Sequence, residues 1–207
     1  MSAGGRKDRG KDDLRLEILN AARDMFATGT FEEFSMRKLA ARIGYSATAI
    51  YLHFTDKRDL LNCVCQETFE ELSRAIVHLL TRTASPLEAI RAGLKAYVQF
   101  GVEHPNHYKV ALLLERPRNP DYDSSAATNP GVRIYALLRE RLAEGIRCAE
   151  IRPLDLDLTA QSIWASVHGL TTLLIIERDF PLENRDRLLE AHASLLIAGV
   201  AAKNSTE

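Results

Sequence analysis

The sequence predicts an all-α fold, and three observations support this prediction. Apolar residues recur at the three- and four-residue spacing of helices, not at the two-residue alternation of strands. No β-hairpin signal is present, and no proline occurs before Pro86. Charged residues make up 27% of the 207 residues, about the usual quarter for a globular chain, which excludes the fibrous and disordered classes.

Five helices are predicted in the first half of the chain. Asp12 and Asp13 favour a helix start at the positive end of the dipole, and Gly29 marks its end. Two capping serines open two short helices, and Ser85-Pro86 opens a longer one with proline at the first helical position. The predicted ranges are about 12–28, 35–42, 46–53, 56–80 and 85–103.

The second half begins with a break at His104-Pro105. A short helix is predicted over 106–115. The stretch RPRNPDYDSSAATNPG, residues 116–131, is dense in Pro, Asn, Asp and Ser and favours a long loop that is either mobile or functional. Helical spacing returns in three last helices, at about 132–149, 155–179 and 185–202.

The cysteine count and the polar N-terminus predict a soluble, cytoplasmic protein without a membrane partner. The chain has 3 cysteines, an odd count that favours a reducing compartment. Cys63 and Cys65 would lie on opposite sides of a helix and do not converge on a metal. No run of eighteen apolar residues exists, and no apolar signal region follows the charged start.

The net charge of −1 conceals a local basic patch. Residues 35–58 contain one acidic side chain, Asp56, against five basic ones: Arg37, Lys38, Arg42, Lys57 and Arg58. A basic surface attracts phosphates. The charge distribution is therefore compatible with a nucleic-acid partner.

The stretch MRKLAARIGYSATAIYLHFT, residues 36–55, has the pattern of a helix-turn-helix. Ala40 is small where two helices cross, Gly44 lies in the turn where a positive φ costs little, and Ile50 is apolar where the second helix is buried. Their joint spacing is fairly specific.

Two helix starts carry a basic residue where a capping box has an acid. Lys38 follows Ser35 by three residues, and Arg58 follows Thr55 in the same way. A cation there opposes the helix dipole but suits a phosphate that approaches the helix N-terminus. Solvated surface charge is the alternative interpretation.

The sequence FEEFSMRKLAARIGYSATAIYLHFTDKRDLL, preceded by ILNAARDMFATGTF, resembles the TetR family of bacterial transcriptional regulators over about residues 14–62. The remainder resembles the family only in its helical plan. The resemblance implies a homodimer that binds a palindromic operator in double-stranded DNA, usually as a repressor released by a small ligand. The expected domains are a basic disordered arm over 1–11, a helix-turn-helix DNA-binding domain over 12–57 and a helical ligand-binding and dimerisation domain over 58–207.

The resemblance also implies a set of DNA contacts. Tyr51 and Lys57 match positions that grip phosphates in the family, so base choice is expected from Arg37, Thr48 and Ala49, with Ala47 as a further candidate. The full expected set is Ser35, Arg37, Ser46, Ala47, Thr48, Ala49, Tyr51 and Lys57. For Tyr51 the alternative is a half-buried ring packed on the first helix.

This sequence departs from the commonest family pattern at two positions. Ala47 stands where a lysine or longer polar residue is frequent, and Leu52 where a second polar ring is common. Base readout is therefore expected to use apolar contacts, such as thymine methyl groups. The basic arm either enters a minor groove or is a disordered tail.

The last two helices predict the dimer interface. Residues 188–202 are apolar nearly all round, which is too much for a helix with one side in water. The preceding helix carries the small residues Ala160, Ala165, Gly169 and Thr172. Together they suggest a four-helix interface across a two-fold axis, with complete burial inside one subunit as the alternative.

Aromatic residues after residue 61 predict a pocket for a small, largely apolar ligand. The expected contacts are Phe100, Tyr108, Trp164 and His168, although each residue taken singly is more often core. His104 and His107 straddle Pro105 and lack a third metal ligand, so no metal and no cofactor are expected.

Two other classes of function are alternatives to a regulator. No nucleophile elbow, Gly-rich phosphate loop or HExxH motif is present, so an enzyme is not expected. A helical interaction protein, or a small-molecule-binding protein without specific DNA binding, is the alternative that remains.

Overall fold

The computed structural model describes residues 4–29, 32–110, 129–176, 181–182 and 184–202. In these ranges the regular structure consists of helices, with one isolated bridge between Ile151 and Ala201, which confirms the all-α prediction. The helices are α1 Gly4–Thr28, α2 Met36–Ile43, α3 Ala47–Tyr51, α4 Lys57–Arg82, α5 Pro86–Glu103, α6 Pro105–Tyr108, α7 Pro130–Arg147, α8 Leu156–Ile176 and α9 Arg185–Val200. No helix in the described ranges is long and apolar enough to cross a membrane.

The chain forms two compact units. The N-terminal unit contains residues 1–68 and 104–116, and the C-terminal unit contains residues 69–103 and 117–207. Helix α4 contributes residues to both units, so the predicted domain boundary after residue 57 falls at the start of that helix, not at the end of a unit.

Two helices begin earlier than the sequence predicts. Helix α1 begins at Gly4, not at residue 12, so most of the arm expected to be disordered over 1–11 is helical and Asp12 and Asp13 lie inside the helix. An existing helix adds residues at little cost where no proline intervenes. Helix α7 begins at Pro130 because the Asn129 side chain accepts hydrogen bonds from the next two backbone N–H groups. Residues 111–128, which include most of the predicted loop, lie outside the described ranges.

The C-terminal unit is built around α5, which packs against α7, α8 and α9. Its residues Ile90 and Val98 are each 1% exposed. Past the end of α7, the Glu150 carboxylate accepts hydrogen bonds from the Ser85 hydroxyl at 2.7 Å and from the Leu87 N–H at 3.1 Å. Glu150 therefore caps the N-terminus of α5, where backbone N–H groups lack helical partners.

Candidate DNA-binding surface and ligand cavity

The turn between α2 and α3 has the geometry that the sequence predicts. Ser35 and Ser46 are the N-caps, and their hydroxyl oxygens accept hydrogen bonds from the Lys38 and Ala49 N–H groups, each at 3.1 Å. Gly44 ends α2 with φ 73° and ψ 23°, in the left-handed region that favours glycine. The local sequence thus fixes the angle at which α3 leaves α2.

Three residues anchor this turn in the core of the N-terminal unit. Ala40, Ile50 and Phe54 are 3%, 0% and 2% exposed. The Arg15 guanidinium of α1 lies 5.1 Å from the centre of the Phe54 ring, a cation–π contact. Burial of Ile50 and Phe54 turns the opposite side of α3 towards solvent.

The eight predicted DNA contacts all belong to the N-terminal unit. Arg37, Ser46, Thr48 and Tyr51 are exposed, and Tyr51 retains 51% of its accessible area. The other four, which are half-buried, are Ser35, Ala47, Ala49 and Lys57. Leu52, at 75% exposure, extends the accessible surface past the end of α3.

The start of α4 differs from the sequence prediction. The N-cap is Asp56, whose carboxylate accepts the Asp59 N–H at 2.8 Å, while the Asp59 carboxylate accepts the Thr55 N–H at 2.9 Å and the Thr55 hydroxyl at 3.2 Å. The capping-box position is therefore acidic, and the prediction that Arg58 occupies it was wrong, because aspartate is a better N-cap than threonine. The argument from a basic capping-box position holds only for Lys38.

Lys57 has an acidic neighbour in the free protein. Burial lowers the pKa of the Lys57 ammonium group, and the Glu32 carboxylate acts in the opposite direction. Glu32 is thus a counter-charge that a phosphate would have to replace if Lys57 binds DNA.

Helix α6 is tied to the end of α1 inside the N-terminal unit. The Asn106 side-chain amide donates hydrogen bonds to the backbone carbonyls of Phe26, at 3.1 Å, and Gly29. His107 is 4% exposed and its ring lies edge-on to Phe26, with the ring centres 5.1 Å apart. Sequence reasoning missed this clamp because the contacts join residues about eighty positions apart.

Protonation of His107 is expected to make stability depend on pH. Its Nε2 atom has no hydrogen-bond partner in the part of the chain that the structure describes. Burial, followed by His104 and Arg23, lowers the pKa of His107 from 6.5 to about 4. Between these two pKa values the unfolded chain binds a proton that the folded chain does not. The contribution of the neutral His107 to the free energy of unfolding is therefore full above pH 6.5 and is lost as the pH falls towards 4.

Protonation of His107 is expected to lower the free energy of unfolding by up to about 3 kcal/mol. It should be measured as the free energy of unfolding in urea at several pH values from 7.5 to 4.5. The His107→Leu variant should show a shallower dependence, and the exposed His78→Gln variant should follow the wild type. Equal slopes in His107→Leu and the wild type would contradict the assignment.

The C-terminal unit contains a small apolar cavity of about 30 Å³. Helices α4, α5, α7 and α8 line it with Ile76, Leu80, Ile90, Gly93, Leu94, Tyr97, Ile134, Leu138, Trp164 and Val167. None of these lining residues is charged.

One residue of the cavity lining, Tyr97, belongs to a polar pair. The Tyr97 hydroxyl is 3.2 Å from His168 Nε2, and the Trp164 ring centre is 4.7 Å from that of His168. Burial lowers the pKa of His168 to about 4, so the imidazole is neutral at neutral pH. Tyr97 and His168 are 71 residues apart, and only the fold brings them together.

The four predicted ligand contacts separate into two groups. Trp164 lines the cavity and His168 contacts Trp164, whereas Phe100 lies in the same unit with its ring 5.4 Å from Phe69. Tyr108 is 1% exposed and belongs to the N-terminal unit. Phe100, Tyr108 and His168 do not line the cavity in this conformation.

Helices α8 and α9 each expose an apolar face. On α8 this face includes Leu158, Ala165, Gly169 and Leu173, and on α9 it includes Ala191, Leu195 and Ala198. Leu195 is 73% exposed, so α9 is not completely buried within one chain, which removes the alternative raised from the sequence. Ala160 is 0% exposed and packs inside the chain; its predicted place in the interface was wrong because it lies on the opposite side of α8.

No cluster of three or more His, Cys, Asp or Glu residues that could hold a metal occurs in the ranges that the structure describes. His104 and His107 do lie side by side, with ring centres 5.7 Å apart.

Two family models match the chain. Residues 18–64 match the model of bacterial regulatory proteins of the tetR family, and residues 90–196 match that of the tetracyclin repressor-like C-terminal domain. Among curated relatives, the nucleoid occlusion factor SlmA of Vibrio atlanticus (strain LGP32) is 28% identical over 185 residues, covering 85% of this chain and 92% of SlmA.

Solved structures share the fold. RolR in complex with resorcinol has a TM-score of 0.65 at 18% identity, covering 95% of this chain and 91% of RolR. FadR from Bacillus subtilis in complex with stearoyl-CoA has a TM-score of 0.67 at 21% identity, covering 89% of this chain and 98% of FadR.

Proposed function

The chain belongs to the TetR family of bacterial regulatory proteins, and from this premise we propose that it is a homodimeric transcriptional repressor. It binds a palindromic operator and leaves it when a small, largely apolar ligand enters the C-terminal unit. The observation that supports DNA binding most directly is α3, held by its Ser46 cap and buried Ile50 with the opposite side exposed. Such a protein works in the bacterial cytoplasm as a regulator, not as an enzyme.

The proposed DNA contacts are of two kinds, phosphate contacts and base contacts. Tyr51 and Lys57 contact phosphates, which fixes the position of α3 without reading sequence, while Arg37, Thr48 and the alanines of α3 face base edges. Because α3 has 5 residues and two of its first three are alanines, close backbone approach and thymine methyl contacts contribute to base choice.

The proposed dimer joins the exposed faces of α8 and α9 with those of a second copy. Two recognition helices then enter successive major grooves, which explains why the operator should be a palindrome. Structures of similar fold hold resorcinol and stearoyl-CoA, which supports a small-molecule effector. Trp164, His168 and Phe100 are proposed contacts, and contact with Tyr108 stays a prediction.

The experiment that tests this function is selection of bound sites from random and genomic DNA with the full-length protein. The expected result is one pair of inverted half-sites about one helical turn apart, centre to centre. A reporter driven by the adjacent promoter then separates repression from activation. If no sequence is enriched over input, specific DNA binding is absent and the helical interaction protein becomes the better explanation.

Nucleoid occlusion is a second candidate, because the likeness to SlmA extends over 92% of that protein. The genomic map separates the two functions. Binding at one or a few promoters supports a transcriptional regulator, whereas many sites spread over the chromosome support a factor that marks the nucleoid.

Substitutions of a phosphate contact and of a base contact are expected to behave differently. Lys57→Ala should weaken binding to all sequences alike and reduce the slope of log K against log salt concentration by about 1 per protomer. Thr48→Ala should leave that slope unchanged and redistribute preference among operator variants. The measurement is a fluorescence anisotropy titration at four salt concentrations. An unchanged slope in Lys57→Ala would remove Lys57 from the phosphate contacts.

A further inference from the structure

One buried hydroxyl group of the C-terminal unit has no hydrogen-bond partner within the described ranges. Ser73 of α4 is 0% exposed, and its Oγ atom makes no hydrogen bond among the described residues. A buried hydroxyl without a partner destabilises the fold by the free energy of its lost hydration. Such a group calls for an explanation.

Two buried threonines make a hydrogen bond that Ser73 does not make. Thr68 donates its hydroxyl to the Val64 carbonyl at 3.2 Å, and Thr171 donates to the Val167 carbonyl at 2.7 Å. Each of them bonds one turn back along its own helix. Ser73 does not make the equivalent bond to Phe69, so its hydroxyl is available to another group.

Ser73 lies on the side of α4 that faces the cavity. Residues three and four apart share one face of a helix, so Ser73 shares a face with Ile76 and Leu80, which line the cavity, and with Phe69. Phe69 meets Phe100 edge to face, with the ring centres 5.4 Å apart. The hydroxyl is therefore placed one helical turn beyond the cavity, towards an aromatic pair.

The surroundings disfavour a charged ligand. The cavity lining contains no charged residue, and the hydroxyl group of its lining residue Tyr97 pairs with His168. The lowered pKa of His168 keeps its imidazole neutral at pH 7. An anion or cation would be buried there without a counter-charge, which is strongly unfavourable.

We propose that the cavity, extended by one turn along α4, binds an uncharged and largely apolar molecule whose hydroxyl or carbonyl group pairs with the Ser73 hydroxyl. The proposal rests on the ligand-regulated function proposed above and assigns the chemical class of the effector. Ser73 is the contact that fixes this class, and Tyr97 is a polar residue of the cavity lining.

Binding of the ligand requires the cavity to enlarge. Its volume of about 30 Å³ is well below the ~150 Å³ of a cavity that admits benzene. Leu80 Cδ2 lies 3.3 Å from the position that a Cβ atom on residue 93, a glycine, would take. A change in the Leu80 side-chain rotamer, beside a residue without a side chain, would enlarge the cavity on the side of α4.

The chain supplies its own reporter for the test. It has 1 tryptophan, Trp164, which lines the cavity, so intrinsic fluorescence of the full-length protein follows binding without DNA. The probes are two matched sets: benzene, phenol and benzoate, and decane, 1-decanol and decanoate, each at pH 7. The variants are Ser73→Ala, Tyr97→Phe and, as a matched control with a satisfied hydroxyl, Thr171→Val.

In at least one set the hydroxyl compound should bind more tightly than both its hydrocarbon and its carboxylate. Ser73→Ala should lower the affinity for that compound by about tenfold and leave the hydrocarbon unchanged, since one hydrogen bond is lost. Ser73→Ala should also melt at the same temperature as the wild type or higher, because it removes an unpaired hydroxyl, whereas Thr171→Val should melt lower. This combination separates a ligand contact from a structural role.

Equal affinity of Ser73→Ala and the wild type for the hydroxyl compound would overturn the proposal, as would tighter binding of a carboxylate or no Trp164 response to any probe. A lower melting temperature in Ser73→Ala would assign the hydroxyl a structural role. The site selection uses no ligand and this titration uses no DNA. Failure of DNA binding and failure of the ligand assignment are therefore separate results.

Discussion

Replacing Gly169 by arginine is expected to convert the proposed dimer to a monomer and to lower operator affinity by ~100-fold or more, because one recognition helix binds only one half-site. Gly169 lies on the exposed face of α8, and a Cβ atom placed there meets nothing within 4 Å. The arginine therefore fits the isolated chain, and loss of a helical glycine even favours α8. In the proposed four-helix interface the same guanidinium would be buried without a partner.

Sedimentation at micromolar concentration measures the oligomeric state, and anisotropy measures operator affinity. Ala136→Arg is the matched control, since Ala136 is exposed on α7, a helix that is not part of the proposed interface. We expect the control to remain dimeric and to bind as the wild type does. A wild-type monomer, or a Gly169→Arg dimer of unchanged affinity, would contradict the proposed interface.

Replacing Gly145 by alanine is expected to destabilise the C-terminal unit by about 3 kcal/mol. The new Cβ atom would lie 2.5 Å from Ile151 Cδ1 and 2.8 Å from Ile151 Cγ1. Ile151 cannot move aside easily: it is 1% exposed, and its N–H donates to the Gly145 carbonyl at 3.0 Å. The substitution therefore forces a backbone shift where α7 ends.

The measurement is chemical unfolding of Gly145→Ala, Ile151→Val and the double variant. Ile151→Val removes Cδ1, the atom of the shortest contact with the new Cβ. The double variant should therefore be more stable than the sum of the single changes predicts. Additive losses would mean that the two side chains do not meet.

Local chemistry is what the sequence predicted well. The caps at Ser35 and Ser46 and the positive φ of Gly44 depend on residues within a few positions of each other, and all three are confirmed. The prediction for the start of α4 was wrong because Thr55 and Asp56 are both capping residues. The choice between them depends on the contacts of Asp59.

Contacts between distant segments could not be predicted in this way. The pairing of Tyr97 with His168 depends on how α5 packs against α8, and no local pattern encodes it. For the same reason, the sequence does not predict that the buried Ser73 hydroxyl lacks a hydrogen bond among the described residues. The apolar faces of α8 and α9 were recognisable from composition, but which side of α8 they occupy required the fold, as Ala160 shows.

The clamp between α1 and α6 determines how this protein can be divided. The N-terminal unit is discontinuous in the chain, because Asn106 and His107 complete it from a segment that follows α5. A fragment that stops at residue 68 would leave the Phe26 ring without its His107 neighbour and two carbonyls at the end of α1 without their donor. The helix-turn-helix is thus not a transplantable module, and a chimera that joins it to another sensor would need both segments.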